Sequence, residues 1–298
     1  MTPVAPASQR ATRFTTGTFD VDNLSTRQVA ELLGVSPATI KRWANSSPIP
    51  YERTVGKHRR FRVDDVAAFV RSTAYDGATA NESSVAERVD RGLSSRPGAI
   101  ARFRDGLLCG RPATLLTEVA HARLAGLSLA RVMDEIVVPA LADIDDRRTR
   151  GVLTAGHGVV ARGTLLRVLE RVRVQTVPRS EGTGRALFVG EDEDRSDVSV
   201  AMARLLAFAH GLRVDSIAVD TLPSKSVACG RASMIVLFPA AIGGEKYTRL
   251  VEPLAVSASR RNVPLAVYGF ELPRSDFAGG QTLTTFAALT AWMRQAGM

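Results

Sequence analysis

The chain has 298 residues, a length that suits about two domains and a substantial buried core, and a net charge of +9. That excess is uneven, with eleven Lys and Arg against six Asp and Glu in residues 1–72, so the N-terminal part is the one suited to a polyanionic partner. Two distant cysteines, Cys109 and Cys229, make neither a disulfide framework nor a metal-ligand spacing.

No stretch approaches ~18 uninterrupted apolar residues, and the start lacks the apolar core of a signal peptide. A cytoplasmic protein without a membrane partner is therefore expected. Residues 1–21 are Thr-, Ala- and Pro-rich with little periodicity and are expected to form a disordered arm. In residues 22–72, Ser25 can cap a helix with Gln28 three residues on, and Val29, Leu32 and Leu33 follow at helical spacing. Gly34 ends that helix. Ser36 caps a second, with Pro37 at its first position and Thr39, Lys41, Arg42 and Trp43 along it. Two short helices around a Gly-containing turn predict a helix-turn-helix whose second helix enters a major groove. Arg53 to Arg62 then places five Lys and Arg side chains and His58 around Gly56, with Tyr51 and Val55 on one side and Phe61 and Val63 on the other. This pattern predicts a two-stranded wing, followed by a helix that Asp64 caps and whose Val66, Phe69 and Val70 pack back on the first two.

These segments resemble the MerR-type winged helix-turn-helix in its excisionase-like form. The carrying motifs are Ser36-Pro37-Ala38-Thr39-Ile40-Lys41-Arg42-Trp43 and Arg53-Thr54-Val55-Gly56-Lys57-His58-Arg59-Arg60-Phe61. Lys57 stands where the wing often has a second glycine. The resemblance implies that Thr39, Lys41 and Arg42 enter a major groove of double-stranded DNA and that Ser36 and the helix start meet phosphate. Arg53, Lys57, His58, Arg59 and Arg60 form the wing's cationic set; His58, Arg59 and Arg60 would lie against the adjacent backbone or minor groove. Trp43 continues the inward face of Ile40 and is expected in the core.

Residues 73–95 read as a small, polar linker. In 96–178, helices are expected near 97–109, 112–125, 128–144, with a kink at Pro139, and 151–174, which make a helical bundle. In 179–298 the pattern changes to strands at 185–190, 213–221, 233–240 and 264–270. Helices near 197–210, 224–230, 247–261 and 282–296 alternate with them, which predicts a covered parallel sheet. The expected fold class is multidomain α and α/β: a winged helix-turn-helix, a four-helix bundle and a Rossmann-like sheet.

That order, and the bundle segment AGLSLARVMDEIVVPALADIDDRRTRG, resemble the light-sensing cobalamin-dependent repressors of the CarH/LitR family. The resemblance implies a corrin site, and each of its parts is altered here. Glu193 and Ser196 stand at the histidine and glycine of the lower-ligand loop, and a carboxylate does not replace that imidazole nitrogen. Gly269-Phe270 stands where a Gly-Gly opens a slot for the nucleotide tail. Arg148 stands at the upper-face tryptophan, and Gly158-Val159 at the Glu-His, with His157 one residue away. No cofactor is expected on this reading; cobalamin is the alternative.

His121 and His157 are expected as packing histidines. Glu191 to Asp194 read as a solvated acidic loop. No nucleophile–base or paired-carboxylate arrangement stands out, so an enzyme is not expected. The reading is a sequence-specific regulator acting as a homodimer or higher oligomer on repeated half-sites. Its rivals are a working cobalamin photoreceptor with substituted ligands and a DNA-tethered adaptor for a protein partner.

Overall fold

A computed structural model describes residues 23–46, 49–75, 96–176, 184–190, 198–218, 232–238, 254–269 and 280–297. The expected arm, most of the linker, the helix near 224–230 and the acidic loop with Glu193 and Ser196 lie outside these residues, as does Phe270.

The first module comprises β1 (Asn23–Ser25), α1 (Thr26–Leu33), α2 (Pro37–Ser46), β2 (Glu52–Arg53), β3 (Arg59–Arg62) and α3 (Val63–Tyr75). Its start follows from local chemistry. Ser25 Oγ accepts from Gln28 N–H at 3.3 Å, and Gln28 Oε1 accepts from Ser25 N–H at 2.8 Å, so two donors at the helix start are satisfied reciprocally. Gly34 closes the helix at φ 66°, a left-handed conformation that only a residue without Cβ adopts freely. The wing has a third strand that the pattern did not indicate. β1 pairs antiparallel with β3, placing Leu24 opposite Phe61, and three residues are too few to reveal an alternation. Val55 is not part of a strand; it stands fully exposed at the wing tip. Asp64 lies inside α3 rather than before it, and its carboxylate accepts from Arg123 Nη2 at 3.0 Å.

Four helical rods follow: α4 (Arg96–Leu108), α5 (Pro112–Leu124), a continuous rod of α6 (Leu129–Val132), a π-helical turn (Met133–Val137) and α7 (Val138–Thr149), and α8 (Ala155–Gln175). The strain expected at Pro139 is taken up by that π turn. Pro139 has no N–H for the carbonyl four residues back, and just before it Val138 N–H donates to Met133 O, five residues back. One face of α5 leaves the bundle, since Ala120 and Leu124 complete the core of the first module beside Val66, Phe69 and Val70. On the same helix His121 is largely buried, which holds its imidazole below the usual histidine range.

The last domain comprises β4 (Arg185–Gly190), α9 (Val198–Ala209), β5 (Arg213–Ala218), β6 (Met234–Leu237), α10 (254–260), β7 (Leu265–Tyr268), β8 (Gly280–Leu283) and α11 (Phe286–Ala296). All sheet pairings are parallel, in the order β5-β4-β6-β7-β8. β8 is a fifth strand, formed by residues at and just before the expected start of the last helix. The central strands read as continuous apolar runs because both faces are covered. Ala186 and Phe188 face the helical bundle's core, while Leu187 and Val189 join Leu254 and Ala258 on the opposite face.

Bundle and sheet share one apolar cluster. It runs from Phe103 and Leu165 through Met133 and Ile136 to a row of rings, Phe188, Phe238, Tyr268 and Phe286. Successive centroids in that row are 5.2, 5.6 and 4.7 Å apart, within the range of favourable tilted contacts. Asp134, in the π turn, adds a polar tie: its carboxylate accepts Phe286 N–H at 2.7 Å and Ala287 N–H at 2.9 Å at the start of α11. Burial pushes the Asp134 carboxyl above its usual range, and these two hydrogen bonds oppose that shift.

Candidate nucleic-acid interface

α2 has one face committed to the core and one left to solvent. Ile40, Trp43 and Ala44 are buried, and the Trp43 ring lies 5.1 Å from Phe69, so Trp43 is a packing residue. Ser36 Oγ accepts from Thr39 N–H at 3.1 Å and pairs with Thr39 Oγ1 at 2.9 Å. Ser36 therefore caps the helix, and the Thr39 hydroxyl is already engaged before any DNA arrives. Lys41 and Arg42 stand exposed on the outer face.

The wing turns tightly at its tip. Lys57 N–H donates to Thr54 O at 2.7 Å, Thr54 N–H donates to His58 O at 3.0 Å, and His58 N–H donates to Thr54 Oγ1 at 3.2 Å. Gly56 lies close under the His58 ring, and a Cβ there would sit 3.2 Å from His58 Cδ2. Lys57 has φ 60°, so the residue at the second-glycine position carries the left-handed strain that glycine would relieve. Lys57→Gly is expected to raise the stability of the module by up to about 1 kcal/mol, read as a higher denaturant midpoint, while binding to all DNA sequences weakens slightly through the lost charge. Arg53, Lys57 and His58 are exposed, and Arg60 is partly covered between its cross-strand partners Ser25 and Glu52.

Arg59 is placed differently from its neighbours. Its Nη2 donates to Asn45 Oδ1 at 2.6 Å and its Nη1 to Lys41 O at 3.2 Å, both on α2. The guanidinium carbon also lies 4.6 Å from the Tyr51 ring centre. A hydrogen bond from Arg53 and then the charge of Arg59 hold the Tyr51 hydroxyl below its usual range. Arg59 thus ties the wing to α2. Asn45, which receives it, did not stand out in the sequence; its spacing of four from Lys41 was the available signal.

The residues at the expected upper corrin face do come together: a Cβ on Gly158 would lie 3.7 Å from Arg148 Cδ. Arg148 reaches Asp145 at 3.4 Å, and Val159 is exposed. His157 is exposed rather than packed, and its Nδ1 sits 3.1 Å from Thr154 N and 2.8 Å from Thr154 Oγ1 as part of the cap of α8. Gly269 N–H donates to Leu283 O at 3.0 Å, at the carboxyl end of β7. Among the described residues, no cluster of His, Cys, Asp and Glu is placed to hold a metal, and no helix is long and apolar enough to cross a membrane.

Residues 24–74 match the protein family described as a helix-turn-helix domain. No curated protein sequence matches the chain significantly. Among solved structures the chain is similar to the monomethylamine corrinoid protein of Methanosarcina barkeri, with 12% identity, a TM-score of 0.51, and coverage of 67% of this chain and 99% of that one. At this identity the likeness shows the fold alone. The methanol:cobalamin methyltransferase complex of Methanosarcina barkeri is 16% identical, with a TM-score of 0.32 and coverage of 67% of this chain and 81% of its own. A cobalamin-binding protein from Desulfitobacterium hafniense DCB-2 is 13% identical, with a TM-score of 0.32 and coverage of 66% and 98%. These two scores are too low to inform the fold. A helix-turn-helix domain followed by a corrinoid-protein-like fold is consistent with the CarH/LitR architecture.

Proposed function

We propose that this chain is a sequence-specific, DNA-binding transcriptional regulator, not an enzyme, whose C-terminal half has the corrinoid-protein fold but no longer binds cobalamin as that fold's carriers do. The observation that carries the DNA part is the shared outer face of α2 and the wing. Lys41 and Arg42 stand exposed on the helix while Arg53, Lys57 and His58 stand exposed on the hairpin that Arg59 ties beside it. A helix with free cations suits base edges in a major groove, and a basic hairpin suits the neighbouring phosphates. One module covers a short site, so a homodimer or larger homo-oligomer on repeated half-sites completes the reading. Cytoplasmic, nucleoid-associated action follows from it.

Loss of cobalamin rests on the upper-face residues. A corrin cobalt takes a neutral imidazole nitrogen well, but the nearby His157 uses Nδ1 in a helix cap, Arg148 is drawn to Asp145, and Gly158-Val159 offers no donor. Glu193 at the lower-ligand position and Phe270 at the tail slot point the same way from sequence.

Arg42→Ala is expected to weaken operator binding by about 1–3 kcal/mol and relax specificity at one position while the melting temperature stays put. Fluorescence anisotropy on operator and scrambled duplexes reads both effects, and unchanged affinity removes α2 from recognition. The protein purified from cobalamin-fed cells should be colourless, with an oligomer size indifferent to light. A calorimetric signal with cobalamin in the micromolar range or tighter would replace this reading with the photoreceptor.

A further inference from the structure

A cavity of about 320 Å³ opens where the three parts of the chain meet. Glu52 and Arg62 line it from the wing strands, Arg131 from the bundle, and His210, Thr290 and Arg294 from the α/β domain. It is separate from the place where parallel sheets of this order bind ligands, the carboxyl ends of β4 and β6 at the switch in strand order. His210 follows the end of α9, and the chain from there leads into the amino end of β5.

The charges facing the cavity do not cancel. Asp64 is taken by Arg123 at 3.0 Å, and Arg131 by Glu135 at 2.7 Å. Glu52 also lines the cavity with no ion-pair partner among the described residues, so it offsets one of the two remaining cations and leaves an excess of one positive charge. Among the described residues neither Arg62 nor Arg294 has an acidic partner, and both are exposed. Thr290 is buried, and its Oγ1 has no hydrogen-bond partner among the described residues, an unfavourable state that a bound acceptor would relieve. Leu129, Leu206 and Ala209 supply an apolar wall. Cavities of about 300–1,000 Å³ at domain junctions with convergent polar groups are where small molecules bind; this one is lined mostly by polar and charged residues around that apolar wall.

We propose that this cavity is an effector site for a small organic anion, a carboxylate or phosphate monoester on a compact apolar body. The anion sits between Arg62 and Arg294, takes a hydrogen bond from the Thr290 hydroxyl, and rests its apolar part on Leu206 and Ala209. Bound there, it links the wing strand to the last helix, so its binding depends on how the DNA-reading module is seated on the rest of the chain. A ligand that prefers one seating shifts the population toward it. Only this coupling rests on the regulator reading; the binding itself does not.

The test is calorimetry on the full chain without DNA, using benzoate, phenyl phosphate and, as a neutral control of similar size, benzyl alcohol. At least one anion is expected to bind with a Kd of about 1 mM or tighter, and benzyl alcohol is not. Binding of benzoate alone identifies a carboxylate effector, and binding of phenyl phosphate alone a phosphate one. Arg62→Gln and Arg294→Gln should each weaken binding about tenfold by removing a charge-assisted contact, with unchanged circular dichroism. Failure of both anions, equal binding of benzyl alcohol, or binding indifferent to both substitutions overturns the site. Anion binding that leaves operator affinity unmoved overturns the coupling. A chain that binds the anions yet no DNA refutes the regulator reading and leaves the site standing.

Discussion

Phe286→Ala is expected to lower the unfolding free energy by about 3–5 kcal/mol, the range for emptying a fully packed aromatic site. The ring is completely buried at the first residue of α11, its centroid 4.7 Å from that of Tyr268. It ends the row of rings between sheet and bundle, and the backbone N–H of the same residue is held by Asp134 of the bundle. Truncation therefore leaves a cavity in the core that the two domains share, so bundle and sheet should lose stability together. Calorimetry of the variant should show one transition moved to lower temperature. Two separated transitions would mean that the shared cluster does not couple the domains. Asp134→Asn keeps the side-chain shape with one acceptor removed and should cost less, about 1–2 kcal/mol.

Arg59→Ala is expected to weaken binding to every duplex, by about 1.5–3 kcal/mol if the lost hydrogen bonds to a charged group are fully felt. The informative variant is Arg59→Lys. A lysine retains the charge but cannot make the planar fork that reaches Asn45 Oδ1 and Lys41 O together. Arg59 acting as a positioning residue predicts that lysine is nearly as damaging as alanine, that Asn45→Ala reproduces part of the loss, and that the salt dependence hardly changes. A phosphate contact predicts the reverse: lysine rescues, and alanine flattens the slope of log K against log salt by about one contact. Anisotropy titrations at several salt concentrations separate the two. Beside the expectation that Arg59 lies on the DNA backbone stands a positioning role, carried by its hydrogen bonds to Asn45 and Lys41.

The helix starts, the turn and the strand cores were legible in the amino-acid sequence because they close within a few residues. Ser25 meets Gln28 and Ser36 meets Thr39 at a separation of three, so residue type and spacing determine those caps. Lys57 at the second-glycine position marked the turn that has φ 60°. Apolar runs such as RALFVG, MIVL and LAVY could be read as buried strands, since a sheet covered on both faces has no polar phase. The short strands β1 and β8 could not, because each takes its identity from the strand beside it: Leu24 from Phe61, Thr282 from Val267.

Only the tertiary structure decided what the charged residues do. Arg59 finds Asn45 and Lys41 at separations of 14 and 18, Arg123 finds Asp64 at 59, and Asp134 finds the N–H of Phe286 at 152. Arg59 and Asp64 had bland local readings, a wing cation and a helix cap, and Asp134 had none. The physical reason is range. A cap or turn is selected by its own window of sequence, whereas a long flexible charged side chain takes whichever partner the packing of remote apolar faces brings within about 3 Å. In this chain those faces are Ala120 and Leu124 against α3 and the row of rings between bundle and sheet, and they settle which cations remain free for another molecule.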